Sequence, residues 1–463
     1  MTGASADRFD AIIIGTGQAG VPLAVALAQA GRRTAIIERR HVGGTCVNEG
    51  CTPTKTMVAS ARTAYVARRA ADYGVRTGFV SVDLAAVVAR KRTVVESFRH
   101  GGEKRLAKAG VELIRGNACY LDARTIRVAT VGDAARTVTS PLSVINTGGH
   151  PARPDIPGLD EVTAFDSMSI MELTALPDHL VVIGGGYVAV EFAQMFRRFG
   201  SAVTIVQRGP RLLGREDPDV ADGLAEVLRG EGVEVLLGAM PTRVEPGRET
   251  AIAVTAMTAE GERTVSGSHL LVATGREPNT ATLGLDAAGV EKHARGYVKV
   301  NERLQTTAPG IYAAGDVTGA PEFTHISYDD YRILRRNLLE NGQATTTGRL
   351  VPYTVFTDPQ LGRIGMTESE ARGMGLNVRV ARLPMSAIAR AIETDETRGF
   401  MKVVVDANTL RILGAAILGL EGGEIMGALE IAMLGELPYP RLRDAIFAHP
   451  TLMEALNTLF ATL

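Results

Sequence analysis

One local pattern occurs twice in this chain, and it restricts the fold more than any other feature. The apolar run Phe9–Ile14 leads into Gly15-Thr-Gly17-Gln-Ala-Gly20; Val21–Ala30 then reads as an apolar helix closed by Gly31, and Thr34–Glu38 as a second strand ending on an acid. His179–Ile183, Gly184-Gly-Gly186-Tyr-Val-Ala189, Val190–Phe199 and Ala202–Val206 repeat the arrangement. A buried strand, a glycine-rich turn, a helix and a second strand make a βαβ unit whose helix N-terminus binds a pyrophosphate, the glycines letting the backbone come close. Two copies imply an α/β protein with two Rossmann-like nucleotide-binding domains. From about Leu350 the composition shifts, and the strand and helix patterns there (Phe356–Pro359, Phe400–Val405, Ile412–Leu420, Gly423–Leu434, Pro450–Phe460) read as an α+β domain without a cofactor motif.

The two copies differ where specificity is set. Glu38 is placed to accept a hydrogen bond from a ribose 2′-OH. The corresponding residue of the second copy is Gln207, followed by Arg208, Arg211 and Arg215. An acid would repel a 2′-phosphate. Gln with arginines beside it adds one or two charge-assisted hydrogen bonds of ~1.5–3 kcal/mol each, a preference for NADPH over NADH of roughly ten- to several-hundredfold. The competing reading is that these arginines form a solvated loop face.

Gly43–Lys55 carries the chemistry. Cys46 follows Gly43-Gly44-Thr45 and Cys51 follows Gly50, and Thr52-Pro53 reads as the first turn of a helix through Arg69. Cys51 would then sit at a helix N-terminus, where the dipole favours a thiolate; a fall in pKa from about 8.5 to about 7 takes the thiolate fraction at neutral pH from a few per cent to about half. The alternatives are two unrelated buried thiols or a metal site. The only other cysteine, Cys119, lies in an apolar run, and no histidine adjoins the pair, so no metal ligand set is predicted.

Other segments complete the outline. Val75–Arg105 reads as mainly helical; Val111–Tyr120 and Thr125–Ala129 read as strands of a side sheet. Ser143–Gly149 and Leu270–Gly275 are apolar strands ending in Thr-Gly-Gly and Ala-Thr-Gly, and Gly310–Asp316 is a strand ending in Gly-Asp. A helix from Thr324 to Leu339 would aim its dipole at a reduced flavin. His325 in its first turn is read as a core or capping residue, with a role at the flavin as the alternative. His449 and Glu454, five apart, suit either a helix-start histidine or a base with its orienting carboxylate. Lys plus Arg is 50 against 51 for Asp plus Glu, which gives no reason to expect nucleic acid or an anionic membrane. Three cysteines make no disulfide scaffold, and the polar opening Met1–Asp10 has no signal-peptide pattern, so a cytoplasmic protein is expected.

Taken together, Gly43–Lys55 with its Cys-x4-Cys, both glycine-rich turns, Ala273-Thr-Gly-Arg-Glu-Pro-Asn279, Ala314-Gly-Asp316 and His449-Pro-Thr resemble the flavin-dependent pyridine nucleotide–disulfide oxidoreductases over essentially the whole chain. The resemblance implies FAD in the first domain, NAD(P)H in the second and a C-terminal dimer interface. The implied borders are 1–149 and 277–346 for the FAD and central parts, 150–276 for the NAD(P) domain and 347–463 for dimerisation. It implies FAD contacts from Gly15, Gly17, Gly20, Glu38, Gly44, Thr45, Lys55, Ala118, Thr147, Gly148, Gly315, Asp316 and His325. Gly184, Gly186, Tyr187, Gln207, Arg208, Gly275 and Arg276 are assigned to the nicotinamide nucleotide, with Tyr187 as a gate.

By the same resemblance, Cys51 faces the flavin, Cys46 meets substrate, Lys55 pairs with Glu191, and His449 and Glu454 come from the other subunit of a homodimer. The expected activity is electron transfer from NAD(P)H through FAD to a Cys46–Cys51 disulfide and on to a disulfide substrate. Gly50-Cys-Thr-Pro-Thr-Lys55, Arg215-Glu-Asp-Pro218 and Phe323–Asp330 look closest to mercuric-reductase-like proteins. Those carry a cysteine pair near the C-terminus, and Pro450–Leu463 has none. A Hg(II) or Cu(II) reductase is therefore the second reading, and a redox-sensing flavoprotein the third.

Overall fold

The computed structural model describes residues 7–130, 134–247 and 251–463; Met1–Ala6 of the polar opening lie outside them. The chain divides into two compact units, one of residues 7–56 with Ala86–Ala152 and Gly275–Arg349, the other of Met57–Ala85, Arg153–Thr274 and Leu350–Leu463.

The first unit is built on a five-stranded parallel sheet in the order Ile311–Ala313, Ser143–Ile145, Ala11–Ile14, Thr34–Glu38, Glu112–Arg115. Ala-Ile-Ile-Ile at its centre is buried on both faces, as an inner parallel strand must be. Ile12 and Ile14 pack with Tyr120, Val128 and Leu283, while Ala11 and Ile13 pack with Leu23, Leu27 and Leu334. A four-stranded side sheet contains Thr125–Ala129 and Asn117–Tyr120. Gly15 follows the central strand at φ +101°, and a Cβ there would lie 2.2 Å from the Asn146 carbonyl oxygen. The Asn146 side chain accepts from the Gly20 N–H at 2.9 Å and donates to the Ala314 carbonyl at 2.7 Å, so one buried amide joins the ends of two strands to the start of the helix Gly20–Gln29.

The second unit repeats the plan. Its parallel sheet runs Ala164–Phe165, His269–Val272, His179–Ile183, Ala202–Val206, Val233–Leu236. An antiparallel three-stranded sheet, Met240–Pro246, Ile252–Thr258 and Gly261–Gly267, covers one face through Val244, Val254 and Val265. A separate antiparallel sheet, in the order Tyr353–Val355, Gln360–Gly365, Ile412–Gly419, Phe400–Asp406, Val378–Pro384, packs Met401, Val403 and Ile417 against Leu429, Leu456 and Phe460. Arg198, 5% exposed, is held between Glu231 and Asp358, and its guanidinium lies 3.8 Å from the centre of the Tyr65 ring. That placement leaves no buried charge uncompensated.

Four expectations are corrected. The helix read over Val75–Arg105 is Leu84–Lys108, because Gly74 and Gly78 both take positive φ and end helical geometry before it. Val111–Tyr120 is not one segment of the side sheet. Gly116, at φ +156°, splits it, and Glu112–Arg115 joins the parallel sheet instead. Phe356–Pro359 is a turn between two strands, with the strand before it at Tyr353–Val355. The last helix begins at Ala455, not Pro450; the Thr451 hydroxyl bonds the Ala448 carbonyl and accepts from the Glu454 N–H, closing a turn ahead of it.

Replacing Asn146 with Ala strands a buried donor and a buried acceptor. It is expected to cost about 2–4 kcal/mol and lower the melting temperature by several degrees in a thermal scan.

Candidate active site

Gly43 (φ +117°) starts a short helix, Gly44–Asn48, that carries Cys46; Cys51 is the first residue of the next helix, Cys51–Arg68. The pair is thus displayed from two helices. A Cβ on Gly44 would lie 2.7 Å from the Gly17 Cα, so the cysteine segment packs directly on the first glycine-rich turn. The Asn48 amide fixes it by donating to the Gly44 carbonyl at 2.9 Å and the Val42 carbonyl at 3.2 Å.

Neither thiol is in a disulfide; Cys46 is half-buried and Cys51 exposed. A hydrogen bond with Cys51, and burial, push the Cys46 thiol far above the ordinary thiol range; Thr324 and the Lys55 ammonium pull the other way. By position, negative charge in a reduced pair is favoured at Cys51. Two helix N-termini support it there: its own, and that of Thr324–Leu339, whose first residue places its hydroxyl oxygen 3.3 Å from the Cys51 sulfur. Sequence reading missed Thr324. The only signal was its place at the start of a predicted helix already aimed at the flavin.

The surrounding residues fit FAD. The turn Gly15–Gly20 leaves the N-terminus of Gly20–Gln29 open to a pyrophosphate. Glu38 is buried and accepts from the Thr16 N–H, the Thr16 hydroxyl and the Arg40 N–H. A carboxylate has about four acceptor positions, so one stays available for a ribose hydroxyl. Gly315 donates its N–H to Asp330, which turns the chain at Asp316. Burial pushes the Asp316 carboxyl up, against the pull of Arg276, 3.8 Å away. Such a group gains from hydroxyl donors like those of a ribityl chain. Thr147 and Asn279 bond each other reciprocally, Gly148 (φ +64°) stands over Thr45, and Ala118 is buried in the side sheet. His325 lies in the first turn of its helix with its ring stacked on Phe323.

The second glycine turn has the same form. Gly184 takes φ +122°, a Cβ there would meet the Ala273 carbonyl oxygen at 2.3 Å, and Gly186 precedes the helix Tyr187–Phe199. Tyr187 is 38% exposed. Gln207 lies against Gly185 and Gly209 and donates to the Arg211 carbonyl. Arg208 is exposed, whereas Arg211 is tied to Asp222 at 3.4 Å. Gly275 takes φ +136° and leads into Arg276, which also pairs with Glu322 at 3.2 Å. Glu191 is buried and accepts from the Phe356 N–H, while Lys55 stands one turn after Cys51. His449 Nδ1 and the Glu454 carboxylate are 2.8 Å apart on an exposed stretch. Among the described residues, no group of three or more His, Cys, Asp or Glu is arranged to hold a metal ion, and no helix is long and apolar enough to cross a membrane.

Residues 9–330 match the family model described as pyridine nucleotide-disulphide oxidoreductase, and residues 351–460 match that family's dimerisation domain. The chain belongs to this family. Oxidoreductases of this kind are flavoproteins that use FAD and NAD(P) with a redox-active disulfide. Among this oxidoreductase's relatives is the probable pyridine nucleotide-disulfide oxidoreductase RclA of Escherichia coli, 40% identical over 98% of this chain and 99% of that protein. Mercuric reductase of Staphylococcus aureus is 36% identical over 97% of this chain and 81% of its own length. A structure described as the Cu(II) complex of the HOCl-induced flavoprotein disulfide reductase RclA from E. coli superposes with a TM-score of 0.91 at 40% identity, covering 99% of this chain and all of that one.

The dimerisation match supports a homodimer of this oxidoreductase. Ile431 and Leu434 are left 71% and 67% exposed on the helix Gly422–Leu434, apolar surface that a second subunit would cover. Gly15→Ala should drive a Cβ into the Asn146 carbonyl, destabilise the oxidoreductase by at least ~2 kcal/mol and empty the FAD site. The flavin-to-protein absorbance ratio of the purified variant checks this.

Proposed function

We propose that this oxidoreductase takes electrons from NADPH, passes them through FAD to the Cys46–Cys51 pair, and reduces a disulfide substrate. The observation that carries the reading is the cysteine pair itself: Cys46 beside Cys51, whose exposed sulfur stands at two helix N-termini, on a segment packed against a dinucleotide turn. Bound FAD would supply the two-electron step between the nicotinamide and the cysteines. The domain assignment follows the motifs: 1–149 and 277–346 for FAD and the central region, 150–276 for the nicotinamide nucleotide, 347–463 for dimerisation.

The chain's own residues divide the remaining work. Gly15, Gly17, Gly20 and Glu38 seat the FAD, and Asp316 takes its ribityl hydroxyls. Lys55 and Glu191 are assigned to the surroundings of the flavin ring, and Tyr187 to the nicotinamide pocket. Cys51 is the flavin-side thiolate; Cys46 is the thiol that attacks substrate once a base accepts its proton. The His449–Glu454 pair of a second subunit is that base, its carboxylate fixing the imidazole tautomer.

A second reading, reduction of Cu(II) or Hg(II), is favoured by the Cu(II) complex of the E. coli relative and by the mercuric reductases among the relatives. Two adjacent thiolates are soft ligands for either ion. Steady-state turnover of lipoamide, glutathione disulfide, thioredoxin-like disulfides, Hg(II) and Cu(II) separates the two. Metal turnover with no disulfide turnover would replace the first reading with the second.

Two outcomes are expected. Cys46→Ser abolishes substrate reduction while NADPH still reduces the flavin in an anaerobic titration; normal disulfide turnover by that variant contradicts the role given to Cys46. With the parent enzyme, kcat/KM for NADPH exceeds that for NADH by roughly tenfold or more, through Gln207 and Arg208 at the 2′-phosphate; equal values contradict it.

A further inference from the structure

The second compact unit holds a cavity of about 830 Å³ that neither glycine-rich turn borders. It lies at the other end of the helix Tyr187–Phe199 from the turn that opens it. Arg197 and Gly200 line it, and ten residues at 1.5 Å each put Arg197 about 15 Å from Tyr187 along the axis. The C-terminal ends of Cys51–Arg68, Tyr187–Phe199 and Pro218–Gly230 meet here, beside the strands that carry Arg382 and Phe400. Five of the lining side chains are arginines and two are glutamates. Only part of that positive charge is matched. Arg198 and Arg398 share the Glu231 carboxylate at 2.7 and 2.6 Å, and Gln194 also donates to it, which fills its acceptor positions. Arg198 holds Asp358 as well, and Arg398 holds Glu396.

Arg68 and Arg197 have no carboxylate partner among the described residues. Arg68 donates to the Arg198 carbonyl, and Arg197 to the carbonyls of Glu231 at 2.8 Å and Ser201 at 3.3 Å. Arg382 is half-exposed, 3.8 Å over the Phe400 ring; Asp219 is 4.0 Å from it but is held by Lys402 at 2.9 Å. Capping helix C-termini is one use for a guanidinium. It occupies one of the five N–H donors of Arg68 and two of those of Arg197. Three carbonyl ends of about half a negative charge each, with the exposed Glu226, leave these three arginines short of full compensation.

We propose that this cavity binds a small polyphosphate anion, with Arg68, Arg197 and Arg382 holding its phosphate oxygens. A planar guanidinium fork meets two phosphate oxygens at once, which a point charge cannot do. The volume falls within the range of small-molecule sites and exceeds the room one phosphate needs. A chain of two or three phosphates, free or as the tail of a nucleotide, is the class that fits. Arg198 and Arg398, tied to carboxylates and stacked on Tyr65 at 3.8 and 5.2 Å, hold the wall and not the ligand.

The test titrates the full-length, FAD-loaded, oxidised enzyme by calorimetry with inorganic tripolyphosphate and, separately, with ATP. Tripolyphosphate should bind once per chain and weaken several-fold from low to moderate salt. Arg68→Gln and Arg382→Gln, both on exposed side chains, should each weaken it by about tenfold or more. Arg208→Gln, at the second glycine turn, should leave it within about twofold. Arg197 supports two helix ends, so it is tested without substitution: bound tripolyphosphate should slow phenylglyoxal modification of Arg68 and Arg197 by about fivefold or more, read by peptide mass. ATP binding tighter than tripolyphosphate, and lost in the same two variants, identifies a nucleotide as the source; equal or weaker binding identifies inorganic polyphosphate. No binding of either probe at millimolar concentration overturns the proposal. So does binding that survives in the Arg68→Gln/Arg382→Gln double variant, or that Arg208→Gln abolishes.

Discussion

A sulfur atom placed at two helix N-termini is the interaction on which this structure's chemistry depends. Each terminus carries about half a positive charge on unsatisfied N–H groups, and the effect fades within a turn. Both helices must therefore begin at the sulfur, not near it. Cys51 is the first residue of one helix, and Thr324, the first of the other, touches its side chain. The same arrangement explains the asymmetry of the pair. Burial and the hydrogen bond with Cys51 push the thiol of Cys46 up on its own half-buried helix, while the Cys51 sulfur stands where the dipoles meet.

That placement needs a rigid base, which the glycine turn and Asn146 provide. A Cβ on Gly44 would press on the Gly17 Cα, and one on Gly17 would press on the Asn146 side-chain oxygen, so neither position admits a side chain without a shift. Asn146 ties the start of the nucleotide-binding helix to the chain just ahead of Asp316. The cysteine segment and the flavin cradle are consequently one piece of backbone packing, and a fault in either is expected to reach the other. The second glycine turn has the same backbone form, with Gln207 where the first copy has Glu38.

Much of this was legible in order along the chain. The repeat, the cysteine pair, the Cys51 helix and the C-terminal α+β pattern were readable because they rest on local rules: buried strands are continuous apolar runs, and glycine marks turns of positive φ. What was misread involved partners distant in sequence. Val111–Tyr120 has one strand pattern, but Gly116 sends its halves to different sheets. Pro450 looked like a helix start, yet the Thr451 hydroxyl closes a separate turn, so His449 and Glu454 meet at 2.8 Å across an exposed turn and not along a helix.

By itself the sequence determined the fold class, the two glycine-rich turns and the cysteine pair that the function is read from, because periodicity, glycine spacing and Cys-x4-Cys are written in neighbouring residues. Only the tertiary structure decided the electrostatics of the pair. Cys51 and Thr324 are separated by more than half the chain, and no local pattern marks a hydroxyl that will meet a thiol. Hydrogen bonds act over about 3 Å and helix dipoles over one turn. Which sulfur holds the proton therefore depends on a meeting that exists only once the chain is folded.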